Sequence, residues 1–354
     1  MKKHNFSAGP CILPAEVFQQ ASEAVLDFNN SGLSILEISH RSKDFVAVIE
    51  EARNLALELL QLDNNKYTAL FLHGGASMQF LMTPHNLLEK KAAYLNTGTW
   101  ASKAIKEAKL FGEVIEVASS EDKNFNYIPK NFEIPTGIDY FHCTSNNTIY
   151  GTQLKSFPKS NAPLVCDMSS DIFSRDIDYS QFDLIYAGAQ KNIGPAGTTL
   201  VIINKAILGK VSRKIPSILD YKSHIEKESM FNTPSVFAIY TSLLNLRWLK
   251  KQGGVSALAK INKHKAELLY AELDRNPLFT PYANKEDRSL MNITFNLANP
   301  ELSHTFDALW QQAGINALNG HRSLGGYRAS IYNALTVESV QLLTEVMQEL
   351  ENKA

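Results

Sequence analysis

The sequence predicts an α/β protein, with a large unit on a mostly parallel sheet followed by a smaller α+β unit. Three observations carry this. Short apolar strands alternate with helix-period segments through the first two thirds of the chain, as in a parallel sheet covered on both faces. From Val236 onward that rhythm gives way to two long helical stretches with Gly253-Gly254 between them. The length, 354 residues, suits about two domains. The expected division is 1–255, including an N-terminal arm, and 256–354.

Each element has its own signal. Pro14 to Asn30 places Phe18, Ala21, Val25 and Phe28 on one helical face, with Pro14 near the start and Gly32 beyond the end. Phe45 to Leu60 reads as a second helix. Tyr67 to Leu72 is a strand, and HGGAS behind it opens a helix. Ala92 to Leu95 is a strand, followed by a helix from Trp100 to Phe111. Strands continue at Glu113–Val117, Tyr140–Cys143, Leu164–Cys166, Leu184–Tyr186 and Leu200–Ile203. Helices are expected over Val236–Gln252, Val255–Asn276, Ser303–Ala313 and Val337–Leu350, with a strand at Leu290–Phe295.

Composition narrows the function classes. The formal net charge is −1, with 44% hydrophobic and 20% charged residues. No global field draws the chain to nucleic acid or an anionic membrane. Cys11, Cys143 and Cys166 are too few and too irregular for a disulfide framework or a zinc site. Lys2 and Lys3 precede no apolar signal core, and no apolar run approaches spanning length. A cytoplasmic protein without metal, nucleic acid or membrane is expected.

The chemistry centres on Lys191, in the segment GAQKNIGPAG between two strands. A lysine on a tight loop of small residues suits a Schiff base with a carbonyl-bearing cofactor. Asp167 ends the strand Leu164-Val165-Cys166, where a carboxylate can keep a pyridine nitrogen protonated. An ordinary loop lysine and a strand-end aspartate would read the same way. Gly74-Gly75-Ala76-Ser77 offers a phosphate the open N–H groups of a helix N-terminus, or simply makes a tight turn. Trp100 follows Asn96-Thr97-Gly98-Thr99 and is either a platform for a flat ring or core. Ser145 to Thr148 follows another strand, so these loops converge on one sheet edge.

The dipeptide His40-Arg41 recurs as His321-Arg322, and Arg328 follows Gly325-Gly326. Arginine suits carboxylate and phosphate, and a substrate with an anion at each end needs two such sites. Solvated surface arginines are the plain alternative.

Taken together, HNFSAGPCILP, EISHRSKDF, HGGASMQF, NTGTW, SNNTIYGTQ, CDMSSDIFSR, YAGAQKNIGPAG, FNTPS and GHRSLGGYRASIYNA resemble, in order, the phosphoserine aminotransferases. That family belongs to the class V aminotransferases, pyridoxal-phosphate-dependent transferases of fold type I with a seven-stranded sheet, acting as homodimers. The resemblance implies pyridoxal 5'-phosphate bonded to Lys191, with Asp167 at the ring nitrogen, Trp100 on the ring and Thr148 at its phenolic oxygen. It implies Ala76, Ser77 and Gln190 at the cofactor phosphate, joined by Asn232 and Thr233 from a partner subunit. Arg328 would take the substrate α-carboxylate. His40, Arg41, His321 and Arg322 would take the substrate phosphate or the glutamate side chain, some across the dimer interface. The implied substrates are glutamate, 3-phosphohydroxypyruvate and O-phosphoserine. Some relatives carry arginine in place of Ser77, and several carry a small or acidic residue in place of Tyr150. The rivals are an aminotransferase for another oxo acid, a cysteine desulfurase, and a non-catalytic binder of a phosphate ligand. The paired His-Arg dipeptides, the absence of a catalytic-looking cysteine late in the chain, and the Lys191–Asp167 pair weigh against these in turn.

Overall fold

The computed structural model describes residues 3–354; Met1 and Lys2, the first of the two terminal lysines, lie outside them. The strands are β1 (His4–Asn5), β2 (Tyr67–Leu72), β3 (Lys91–Asn96), β4 (Glu113–Ser119), β5 (Phe141–Thr144), β6 (Leu164–Asp167), β7 (Leu184–Gly188), β8 (Thr199–Asn204), β9 (Phe279–Pro281), β10 (Asn292–Leu297), β11 (Ile315–Asn316) and β12 (Tyr327–Ser330). The helices are α1 (Ala15–Leu26), α2 (Lys43–Leu59), α3 (Gly75–Leu87), α4 (Thr99–Ala108), α5 (Tyr221–Glu226), α6 (Val236–Lys251), α7 (Gly254–Arg275), α8 (Ser303–Gln312) and α9 (Val337–Lys353).

Seven strands form one sheet in the order β2-β8-β7-β6-β5-β3-β4. Only β8 is reversed, antiparallel to both β2 and β7. The other six therefore end at one edge. Their side chains divide between two cores with period two. In β2, Tyr67, Ala69 and Phe71 join the core under α2 and α6, while Leu70 and Leu72 join the core under α3 and α4. Burial on both faces is why β2 and β5 to β8 read as mainly apolar runs, broken within by Thr68 in β2 and His142 in β5.

A second, antiparallel sheet has the order β12-β10-β9. It packs with α7, α8 and α9 around Leu269, Phe295, Phe306 and Leu343. The long α7 enters both cores, with Leu258 in the large one and Leu269 in the small one. The N-terminal arm, expected with the large unit, starts elsewhere. β1 pairs with β11, and Phe6 is buried in the small core.

α1 also differs from expectation. It stops at Leu26, because Asp27 is extended and Asn29 and Asn30 adopt left-handed backbone. Its buried face is Val17, Ala21 and Ala24, and Phe18 is 49% exposed. Phe28 still reaches the core, from the short turn that follows.

Candidate active site

The shared edge of the large sheet gathers the loops after β2, β3, β5, β6 and β7 around a cleft of about 160 Å³. Its walls include Ala76, Ser77, Trp100, Thr148, Asp167, Gln190 and Lys191.

Each loop presents its residue for a local reason. Gly74, with φ +91°, turns the chain from β2 into α3, and a Cβ there would lie 2.5 Å from Met78 Cβ. Met78 N–H is the first to bond back into the helix, at Gly74 O (3.3 Å). The N–H groups of residues 75–77 are those a helix leaves open. Asp167 ends β6 and its Oδ1 accepts from Ser169 N–H at 2.9 Å. Lys191 lies on the turn between antiparallel β7 and β8, and its Nζ donates to Thr148 Oγ1 at 2.8 Å. Arg328 projects from β12, where its Nη1 donates to Thr148 O at 3.2 Å.

Burial sets the electrostatics. It pushes the Lys191 amine down to about 8, helped by the Arg328 charge and opposed by Asp167. It pushes the Asp167 carboxyl up, opposed by the Ser169 hydrogen bond and by Lys191. A buried carboxylate is costly unless paired, so Asp167 favours a cationic partner in the cleft. Behind it lies a second buried acid, Asp171, which accepts from Ser145 Oγ and from Gln153 Nε2 (3.1 Å) and pairs with Arg175 at 2.9 Å.

A family model for the class V aminotransferases matches residues 3–343. The phosphoserine aminotransferase of Flavobacterium johnsoniae is 68% identical over the full length of both chains. A solved phosphoserine aminotransferase whose subject is radiation damage of its Schiff base superposes with a TM-score of 0.96 at 46% identity, covering 100% of each chain. The pyridoxal-phosphate-bound phosphoserine aminotransferase from Trichomonas vaginalis gives 0.93 at 36%, covering 98% of this chain and 100% of the other. The chain belongs to the phosphoserine aminotransferases, within class V. Like them it is a pyridoxal-phosphate-dependent transaminase.

The residues present fit that cofactor. Thr144 Oγ1, Trp100 Nε1 and Arg328 Nε are buried without a partner among the described residues, polar capacity that a ring compound with oxygen and nitrogen substituents can use. The open N–H groups at the start of α3 suit a phosphate.

Several residues that the phosphoserine aminotransferase resemblance implicates stand outside the cleft of one chain: His40, Arg41, Asn232, Thr233, His321 and Arg322. Thr233 is close by, its carbonyl bonded to His73 Nε2 at 2.9 Å, just before the Gly74 turn. His321 is held below its ordinary pKa by burial first, then by Arg328, Arg322 and Lys103. The sequence reading placed Asn146 in a loop at this edge without giving it a role and missed Phe80, Thr144, Ser169 and Ser170, all of which also line the cleft. Their signal was available, since most of them end or directly follow strands at the same edge. It also missed Cys11, whose N–H bonds Gln190 O (3.0 Å) and whose Sγ–H bonds Lys191 O (2.5 Å). Tyr150 gains an explanation. Its hydroxyl meets Thr99 Oγ1 at 2.8 Å and its ring lies 5.0 Å from Phe125, so it braces the start of α4, where Trp100 sits.

Proposed function

We propose that the chain moves an amino group reversibly between glutamate and 3-phosphohydroxypyruvate, giving 2-oxoglutarate and O-phosphoserine. The carrying observation is Lys191, a buried amine depressed to about 8 and sharing one cleft with Asp167 and Trp100. The bound cofactor supplies an electron sink for the substrate Cα. Lys191 bonds the cofactor and, once freed, carries a proton to and from Cα, a task that needs an amine titrating near working pH. Thr148 Oγ1 orients it. Asp167 holds the proton on the ring nitrogen, and Trp100 forms a wall for the ring. Ala76, Ser77 and Gln190 are assigned to the cofactor phosphate, and Arg328 to the substrate α-carboxylate.

The remaining cations are assigned to the substrate's second anion. His40, Arg41, Asn232 and Thr233 lie outside the cleft of their own chain, which supports a homodimer in which a partner subunit supplies some of these groups. The same charge pattern admits the phosphorylated hydroxythreonine of pyridoxine synthesis. Three free thiols, with Cys143 and Cys166 sulfurs 3.7 Å apart and unbonded, favour a reducing compartment such as the cytoplasm. The division into a cofactor-binding unit, 1–255, and a smaller unit, 256–354, is likewise our reading, with α7 joining the two.

The test is spectroscopic. Purified holoenzyme should show a cofactor absorption band that shifts when glutamate is added and returns when 3-phosphohydroxypyruvate follows. A band indifferent to glutamate would overturn the proposal.

A further inference from the structure

We propose that Asn333 is a positioning residue that registers the Lys191 loop and the Asp167 loop against the strand bearing Arg328, with Asn262 and Lys265 of α7 holding it in place. The inference rests on the roles given above to Lys191, Asp167 and Arg328.

Lys265 is fully buried and forms no ion pair among the described residues. Its Nζ donates to three carbonyls, Ile331 O (3.0 Å), Tyr332 O (2.7 Å) and Leu335 O (3.0 Å). Burial pushes the amine down to about 7, yet three acceptors match the three N–H bonds of an ammonium, so the group is read as charged. A buried cation ordinarily meets a carboxylate. This one instead gathers the backbone just beyond β12.

Asn333 sits in that gathered segment with its side chain satisfied at both ends. Its Oδ1 accepts from Asn262 Nδ2 at 2.8 Å, and its Nδ2 donates to Phe173 O at 3.0 Å. Its backbone N–H donates to Asn192 Oδ1 at 3.1 Å. Phe173 lies on the loop after Asp167, buried and in left-handed backbone (φ +58°) that costs energy to hold. Asn192 directly follows Lys191, and its own carbonyl is fixed by Asn245 Nδ2 at 3.0 Å. One residue of the smaller layer thus touches both loops that carry the cofactor-facing groups. Asn333 itself uses both ends of its side chain and its backbone N–H in this buried network, although the Asn262 and Asn245 side-chain oxygens have no partner among the described residues, and buried bonds of this kind specify geometry.

Hydrogen exchange on the holoenzyme tests this, with Asn333→Ala and Lys265→Met as variants. Amides of residues 171–175 should exchange about tenfold faster or more in both, the change expected for a lost buried hydrogen bond; those of 190–194, held through the Asn333 backbone N–H, should loosen in Lys265→Met, which frees the 331–335 segment. In Lys265→Met, residues 331–335 should loosen as well. Turnover should fall mainly in kcat, with KM for glutamate little changed. Faster exchange confined to 331–335, or spread evenly over the whole chain, would overturn the proposal. If Asn333→Ala does not fold, Asn333→Leu keeps roughly the side-chain volume, removes the side-chain donor and acceptor without adding a charge, and should still loosen 171–175. Unchanged exchange there would overturn the proposal and leave the role of Lys191 standing. Full turnover in Lys191→Ala would do the reverse.

Discussion

In the role proposed for it, Lys191 has to bond an aldehyde and move a proton, and both tasks need its neutral amine. Burial penalises the ammonium, so the amine becomes neutral as pH rises through about 8. In protein freed of cofactor, acylation of Lys191 should reach half its maximal rate near pH 8, whereas an exposed lysine does so near about 10.4. Mass spectrometry of labelled peptides across a pH series reads this directly. Lys191→Ala should lose turnover while keeping the far-ultraviolet circular dichroism of the parent. Asp167→Asn should still take up cofactor, but proton abstraction in a single turnover should slow by ~10²-fold or more. An unchanged single-turnover rate would remove Asp167 from its assigned role. The sequence singles out both residues, a lysine among small residues and an aspartate at a strand end, but an ordinary loop lysine and strand-end aspartate read the same way there; that the two share one cleft comes from the structure. Cys11 was not legible. Nothing near residue 11 indicates that its backbone meets Gln190 and its sulfur meets Lys191 O.

Among the elements, α3 ties fold to chemistry most directly. Its open N-terminus exists only because Gly74 turns through positive φ with Met78 packed against its missing Cβ. Gly74→Ala should cost roughly 1–3 kcal/mol of stability and weaken cofactor retention, both measurable by thermal melts with and without added pyridoxal phosphate. A variant as stable as the parent, with cofactor equally held, would contradict that reading of the turn. The strands of the large sheet were legible because burial on both faces leaves mainly apolar runs. β9, β11 and β12 are short, and β11 pairs with β1 at the other end of the chain. Arg328, which sits on β12 opposite Thr294, was read only from the two glycines before it. α1 shows the limit of periodicity. The apolar spacing implied a face through Phe18, but packing chose the smaller Val17, Ala21 and Ala24.

For the whole molecule, the cations outside the cleft make two expectations. Arg41 and Arg322 are exposed in one chain, but where a bound substrate desolvates such a cation, leaving the charge unpaired typically costs ~2–5 kcal/mol. Hydroxypyruvate should therefore fall below its phosphorylated form in kcat/KM by ~30-fold or more; parity would remove the second anion site. If Arg41 serves the neighbouring subunit, mixing Lys191→Ala with Arg41→Ala should restore about a quarter of parental activity, the statistical share of intact sites in random two-fold pairs. No recovery after verified subunit exchange would place Arg41 in its own chain's site. These cross-chain roles came from resemblance, because one chain's sequence does not say which of its surfaces a second copy completes. The docking of the arm's first strand on the smaller unit was not legible for a related reason: Asn5 and Asn316, which share a hydrogen bond, are 311 positions apart. Translation makes the arm 311 positions before its partner strand. Until β11 is made, β1 has no mate, Phe6 has no core to enter, and Cys11 has no anchored base from which to brace the Lys191 turn. The appearance of residues 315–316 is thus the step that lets the arm dock behind that turn.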